Sequence, residues 1–508
     1  MHTRCKAMAL SLGLALSLAG CAGKSAQPQY LDDRDPQTQE DTCAYTTFFR
    51  PAADPQGQPY VGDPMPYYED GTYYIYYLKD GGDSFQHSVY LATTTDFVRY
   101  TEVEEPILES EAGAQDDWIG TGSVCKVGET YYLFYTGHTG NAKYEFAETI
   151  LLAKGSDPYH FEKVEGWELT PPAELGQKRD FRDPQAYYDE AADTVTLTVT
   201  AAQDGTARLL KFTLPGDLAD AADAQYDGII FTNTQVDCWN LECSDTFFLD
   251  GHWYVTYSAQ DDTLWYAMAD ARYGPYGEAK RLDGKLFYAA KHVENGTNAY
   301  MVGWGRRSEL ATYTMDVSAW AGNLVVQQLA ARADGSLYLK PVDAVAAQFT
   351  EAVPLLSAKD SVTLKAVADP KAESPYRYQT AFEGCERFML RGEFSYTGEA
   401  SSTASFGLCF DYSGDSVEYK TISLVPAEQA VQLYFNEEST LITETALDLQ
   451  PGQTYPFTYI QEGSVGTFYV GDAAALTVRL YGSTGKPIRL FTNGVDATFT
   501  ALQQFTTP

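Results

Sequence analysis

Along most of the chain, apolar and polar residues alternate in short runs with the two-residue period of a half-buried strand. Helical spacing is nearly absent, and Gly and Asp punctuate the runs as turn-formers do. One unit recurs five times: a strand, a tight turn, then a strand dense in aromatic and β-branched residues. It reads "MPYYEDGTYYIYYL" (65–78), "SVCKVGETYYLFYTG" (123–137), "QAYYDEAADTVTLTVTA" (185–201), "DTFFLDGHWYVTYS" (245–258) and "LFYAAKHVENGTNAYMVGW" (286–304). The turns fall near Gly71, Gly128, Ala192, Gly251 and Gly296, at intervals of about 45 to 64 residues. Each interval has room for about four strands, the size of a propeller blade. The pattern therefore predicts an all-β chain with a five-bladed β-propeller over residues 42–335.

From residue 336 to 508 the strands continue but the blade-length repeat stops. Runs such as "AVQLYFN" and "YPFTYIQEGSVGTFYVGD" predict a separate C-terminal β-sandwich. The segment "SLYLKPVDAVAAQF" is expected to bridge the two domains and pack against both.

The first 41 residues follow neither pattern. Arg4 and Lys6 precede a short apolar run that ends in "LAGC", so residues 1–20 read as an export signal rather than a membrane span. The ending resembles a bacterial lipobox, which implies cleavage before Cys21, lipid on its thiol and a place on the extracellular face of a membrane. The polar stretch 21–41 suits a tether.

Composition narrows the chemistry. Seventy acidic against 35 basic residues give a net charge of -35, a surface that repels nucleic acid and anionic lipid. The only membrane contact expected is the anchor at Cys21. The cysteines are too few and too widely spaced for a disulfide framework, and six scattered His residues offer no metal cluster. Carboxylates remain as the reactive groups, and 14% aromatic residues suit sugar binding.

Three acids precede the repeated turns at nearly one spacing. Asp63 lies eight residues before Gly71, Asp183 nine before Ala192 and Glu242 nine before Gly251. Equivalent positions in repeated blades surround one axis, so these carboxylates are expected to meet at one end of the central channel. A second Asp-Pro, at Asp54 in "ADPQG", lies seventeen residues before Gly71 and is out of phase.

These residues resemble glycoside hydrolase family 32, the β-fructosidases. The family's Asp-Pro, Arg-Asp-Pro and Glu-Cys motifs match "GDP" (62–64), "FRDP" (181–184) and "EC" (242–243), in that order. Weaker echoes are "WIGTGSV" (118–124), "VGW" (302–304) and "LVVQQLAARADGSLYLKPV" (324–342). The resemblance implies that Asp63 is the nucleophile, Glu242 the acid/base and Asp183 a transition-state stabiliser. Arg182 is expected to hydrogen-bond a neighbouring carboxylate or a sugar hydroxyl, and Trp118, Ser123 and Trp304 are candidates for contact with the sugar; the resemblance requires neither metal nor cofactor and implies an oligo- or polysaccharide substrate containing β-fructosyl units. Trp239 lies near Glu242 in sequence and is available to exclude water; Cys243 is expected to be a small buried neighbour.

The match thins around Asp63. Gly62 and Met65-Pro66 replace the family's usual Asn and Asn-Gly, and Leu78 stands where a Gln is common. Two other readings stay open from sequence: a five-bladed glycosidase acting on arabinan or xylan side chains, and a catalytically weak glycan-binding lipoprotein.

Overall fold

The computed structural model describes residues 47–52, 60–80, 86–307, 319–369, 371–372, 374–410, 419–435 and 440–508. The expected signal and tether with Cys21, and Asp54, lie outside the described residues. Nearly all the regular secondary structure described is β, and the chain is a five-bladed β-propeller followed by a β-sandwich.

Each blade is a four-stranded antiparallel sheet whose strands run in chain order. The innermost strands are Gly62–Glu69, Trp118–Val127, Phe181–Asp189, Leu241–Leu249 and Phe287–Glu294. The five repeated turns of the sequence are the hairpins that join each of these to the second strand of its blade. Two of them, at Asp70-Gly71 and Asp250-Gly251, hold both residues at positive φ, the twist that a two-residue hairpin needs.

The ring is closed by backbone pairing rather than by a separate element. Val61 and Gly322 exchange N–H···O bonds of 2.7 and 2.9 Å, and the Leu324 N–H donates to the Phe49 carbonyl at 2.7 Å. The residues that lead into blade 1 therefore lie along the third strand of blade 5. Blade 5 also runs past the expected boundary at 335. Its fourth strand is Leu337–Lys340, paired with Gln328–Ala331, because Leu337 and Leu339 alternate inward and are buried there.

The sandwich packs a seven-stranded sheet against a six-stranded one over a core rich in Phe, Leu and Val. It is fastened to the propeller by a shared apolar cluster. Leu337, Leu339, Val342, Val345 and Phe349 join Met389, Ile460, Val465 and Tyr469 in one buried group, so the bridging segment packs against both domains. Polar ties sit within the contact. Buried Asp283 accepts from the Thr477 backbone N–H (2.9 Å), its hydroxyl (2.7 Å) and the Gln327 amide (2.9 Å). Buried Arg479 donates to the Gly305 carbonyl (3.1 Å) and to Asn323 (2.8 Å). Such buried polar groups are tolerated because each has its partners.

Candidate active site

Four of the five innermost strands, those of blades 1, 3, 4 and 5, share one irregularity that builds the site. Pairing with the second strand sets Gly62 opposite Leu78, Arg182 opposite Thr200, Glu242 opposite Ser258 and Tyr288 opposite Trp304. In each case two residues then face one across the ladder, and pairing resumes at Met65, Gln185, Asp245 and Lys291. This is a β-bulge, a device that bends a strand and re-aims its side chains. The first bulged residue is left-handed in all four: Asp63 (φ 36°), Asp183 (φ 58°), Cys243 (φ 51°) and Ala289 (φ 52°). Non-glycine residues rarely adopt this conformation, and strain of this kind concentrates at functional sites.

The register corrects the expected common phase. Asp63 and Asp183 are equivalent, six residues before the end of their strands, but Glu242 sits one residue earlier, in the register of Arg182. Cys243 holds the bulge in blade 4. Counting from the turn hid this, because the blade 3 turn spans residues 190–193 whereas the others compared are two-residue turns.

All three acids nonetheless line one pocket of about 260 Å³, with Leu78, His87, Trp118, His138, Glu148, Arg182, Tyr288 and Trp320 among its walls. The Trp304 indole N–H donates to Asp63 Oδ1 at 3.0 Å. Asp63 keeps partial contact with the pocket, yet burial raises its carboxyl above the ordinary range. The Trp304 N–H opposes that rise, and the nearby Glu242 charge adds to it. Asp183 is 4% exposed and is pushed up to about 7 by burial, against the pull of Arg182, with the Glu242 charge adding to the rise. The Cys243 backbone N–H, turned by the bulge, donates to Asp183 Oδ2 at 2.8 Å.

Glu242 is held from two sides. Arg182 Nη2 donates to Oε1 at 3.0 Å, and the Tyr288 hydroxyl donates to Oε2. Arg182 itself is clamped through Nη1 by Glu148 (3.3 Å) and Asp180 (3.2 Å). Burial pushes the Glu148 carboxyl up, but His138, the Arg182 charge and the Phe181 N–H outweigh it and hold the group down at about 2. His138 in turn stacks flat against Trp118, with ring centroids 5.5 Å apart.

Sequence-predicted residues separate into three groups. Asp63, Asp183, Glu242, Arg182 and Trp118 meet in the pocket. Trp304 is 1% exposed and touches the site through its N–H to Asp63 and its edge-on packing against Tyr288, so it is not a stacking platform. Ser123 is not among the pocket walls: its hydroxyl donates to the Pro184 carbonyl (3.0 Å) and accepts from the Ala186 N–H (2.8 Å), tying blade 2 to blade 3. Trp239 is 57% exposed and walls off nothing. Cys243 is buried, and burial pushes its thiol well up, which leaves it unreactive.

The unusual neighbours of Asp63 have local causes. A Cβ on Gly62 would lie 2.1 Å from Cζ2 of Trp320, so the residue is bare to admit that indole. Met65 is buried, and its sulfur accepts from the Gly122 N–H at 3.0 Å. Sequence reasoning missed Glu148, His138, His87, Tyr288 and Trp320. Only Tyr288 had a readable signal, as the blade 5 residue in the register of Arg182 and Glu242. Among the described residues no group of three or more His, Cys, Asp or Glu is arranged to hold a metal ion.

A propeller whose inner strands direct two carboxylates and a clamped third at one sugar-sized pocket defines a glycoside hydrolase. Residues 55–341 match the glycosyl hydrolases family 32 N-terminal domain, and the chain belongs to that family. Three solved structures are similar over nearly their whole length. A sucrose-6-phosphate hydrolase from Lactobacillus gasseri is 18% identical, with TM-score 0.68 over 94% of this chain and 98% of that one. A β-fructofuranosidase from Aspergillus kawachii is 16% identical, with TM-score 0.69 over 96% and 98%. The Bombyx mori β-fructofuranosidase is 15% identical, with TM-score 0.65 over 93% and 97%. No curated protein matches the sequence.

Proposed function

We propose that this enzyme is a retaining β-fructosidase that releases fructose from sucrose, fructo-oligosaccharides, levan or inulin. The observation that carries this reading is the pairing of Asp63 and Glu242, from blades 1 and 4, in one pocket with different supports. Asp63 is met by an indole N–H. Glu242 is met by a guanidinium and a phenol. A retaining glycosidase needs two such carboxyls with distinct tasks.

In the first step the Asp63 carboxylate bonds to the anomeric carbon while Glu242 gives its proton to the departing oxygen. In the second, Glu242 takes a proton from water, which attacks the same carbon and frees Asp63. Asp183 accepts hydrogen bonds from sugar hydroxyls, and these strengthen as positive charge develops on the ring. Arg182 and Tyr288 keep Glu242 on the leaving-group side, and Trp304 orients Asp63. Trp118, backed by His138, offers a face to the sugar. The lipobox-like start suggests that the enzyme works outside the cell, tethered through Cys21.

The test is to incubate the protein with sucrose, levan, inulin and arabinan and to follow released monosaccharide. Fructose release, lost in both Asp63→Asn and Glu242→Ala without loss of thermal stability, is the expected result. No fructose from any substrate would refute the reading, and arabinose release would replace it. Leu78 gives that arm a reason, since it is a buried apolar wall where the family commonly offers a Gln.

A further inference from the structure

We propose that the outer face of the six-stranded sheet of the sandwich is a second sugar-binding cleft. Its ligand would be an uncharged fructan chain, the polymer whose end the propeller pocket trims; the identity of that polymer rests on the function proposed above. The sheet runs, from edge to edge, through Tyr376–Phe382, Ile488–Asn493, Ser405–Phe410, Lys420–Val425, Ala430–Phe435 and Thr440–Ala446. Its inward residues, such as Phe406, Leu408, Ile422, Leu424, Val431 and Leu433, belong to the core. The alternate residues face away from that core, and their sizes follow a pattern across the strands.

The middle of this face is low. Ser405 and Gly407 lie on one strand, with Ser423 paired to Gly407 on the next. Gly407 cannot carry a side chain, because a Cβ there would lie 2.1 Å from the Ile422 carbonyl oxygen. Larger groups rise on both sides: Tyr376 beyond Asn493 on one flank, Gln432 and Tyr434 on the other. The result is a cleft of about 250 Å³, almost the volume of the catalytic pocket. A space that matches the first site is large enough for the same ring.

The lining chemistry selects the ligand. Five Ser and Thr residues, one Asn, one Gln and two Tyr meet there with a single carboxylate, Glu428, and no Lys, Arg or His. Such a lining gives an anion nothing to pair with, whereas hydroxyls and amides flanked by tyrosine rings match a neutral polyol. The polar groups are also pre-arranged. The Gln432 amide donates to Glu428 (2.6 Å) and Glu444 (2.9 Å), and the Asn493 amide donates to the Thr403 carbonyl (2.8 Å). Fixing these side chains before binding lowers the entropy lost on association. A second hold on one polymer raises the local concentration of chain ends at the propeller, without touching the chemistry.

The test uses the full chain silenced by Glu242→Gln and run through gels containing levan, inulin or, as a control, dextran. The silenced chain should be retarded by a fructan and not by dextran. Tyr434→Ala and Gln432→Ala, each added to it, should weaken that retention by roughly tenfold, the scale of one or two lost contacts. In the active enzyme the same two substitutions should raise KM for the fructan several-fold and leave kcat/KM for sucrose unchanged. Unaltered retention in both variants would overturn the cleft, as would no retention of the parent or a parallel fall in sucrose and fructan turnover. Because retention is read without turnover, an enzyme that releases no fructose would refute the catalytic reading separately.

Discussion

Replacing Asp183 with an asparagine should stabilise the protein while destroying its activity, and the gain should grow with pH. Asp183 is almost wholly buried in the pocket wall, and burial raises its carboxyl to about 7 from the ordinary 3.8. The folded state therefore binds a proton that the unfolded chain has already released across that window. Stability is fully present below 3.8 and is lost as pH rises toward 7. The gap converts to about 4 kcal/mol above pH 7, and to about 2 kcal/mol at pH 5. The amide that replaces the carboxyl would carry no charge at any pH. It would keep a carbonyl oxygen for the Cys243 N–H, now 2.8 Å from Oδ2. Denaturant unfolding followed by tryptophan fluorescence at pH 5 and pH 8 would read the difference. Asp183→Asn should gain about 3 kcal/mol more at pH 8 than at pH 5, with fructose release abolished at both. An equal gain at the two pH values, or a loss that deepens as pH rises, would refute the burial argument.

Glu148→Gln should cost about 3 kcal/mol near neutral pH, because it removes the largely buried charged partner that clamps Arg182. Glu148 titrates at about 2, below its ordinary 4.5, so the gap between variant and parent should close as pH falls through that range; a gap constant with pH would count against it. Trp304→Phe keeps the ring but withdraws the N–H from Asp63, so the acid limb of kcat against pH should move upward, and a downward shift would contradict the assigned contact. Gly62→Ala should lose about 1–3 kcal/mol by collision with Trp320, and the double variant Gly62→Ala/Trp320→Ala should cost less than the sum of the two singles in a thermal-unfolding cycle.

Much of the architecture was legible because β-structure writes itself locally. Alternation of side chains sets one face of each strand toward the core, and the Asp-Gly turns mark where the chain must reverse. Five such hairpins at blade-sized intervals pointed to a propeller, and the end of the repeat pointed to the sandwich. The last strand of blade 5, Leu337–Lys340, was cut short because its partner, Gln328–Ala331, is set by pairing rather than by any turn signal.

The site was legible in its acids and not in their geometry. Asp63, Asp183 and Glu242 could be named from spacing and motif, as charged residues placed where an apolar strand begins. That Glu242 occupies the register of Arg182, while Cys243 takes the strained bulge, depends on which residues the ladder skips. No count along one strand reports a skip across two. The surroundings of Ser123 and Trp304 were hidden for a related reason: their polar atoms are engaged by neighbouring blades, the Pro184 carbonyl in one case and Asp63 in the other. Glu148 comes from blade 2, Arg182 from blade 3 and Tyr288 from blade 5, yet all three converge on the site. Sequence by itself determined the strands, the repeat and which residues bear charge, because these depend on near neighbours. Only the closed ring decided burial, partners and therefore titration, because each of these depends on groups brought together across blades.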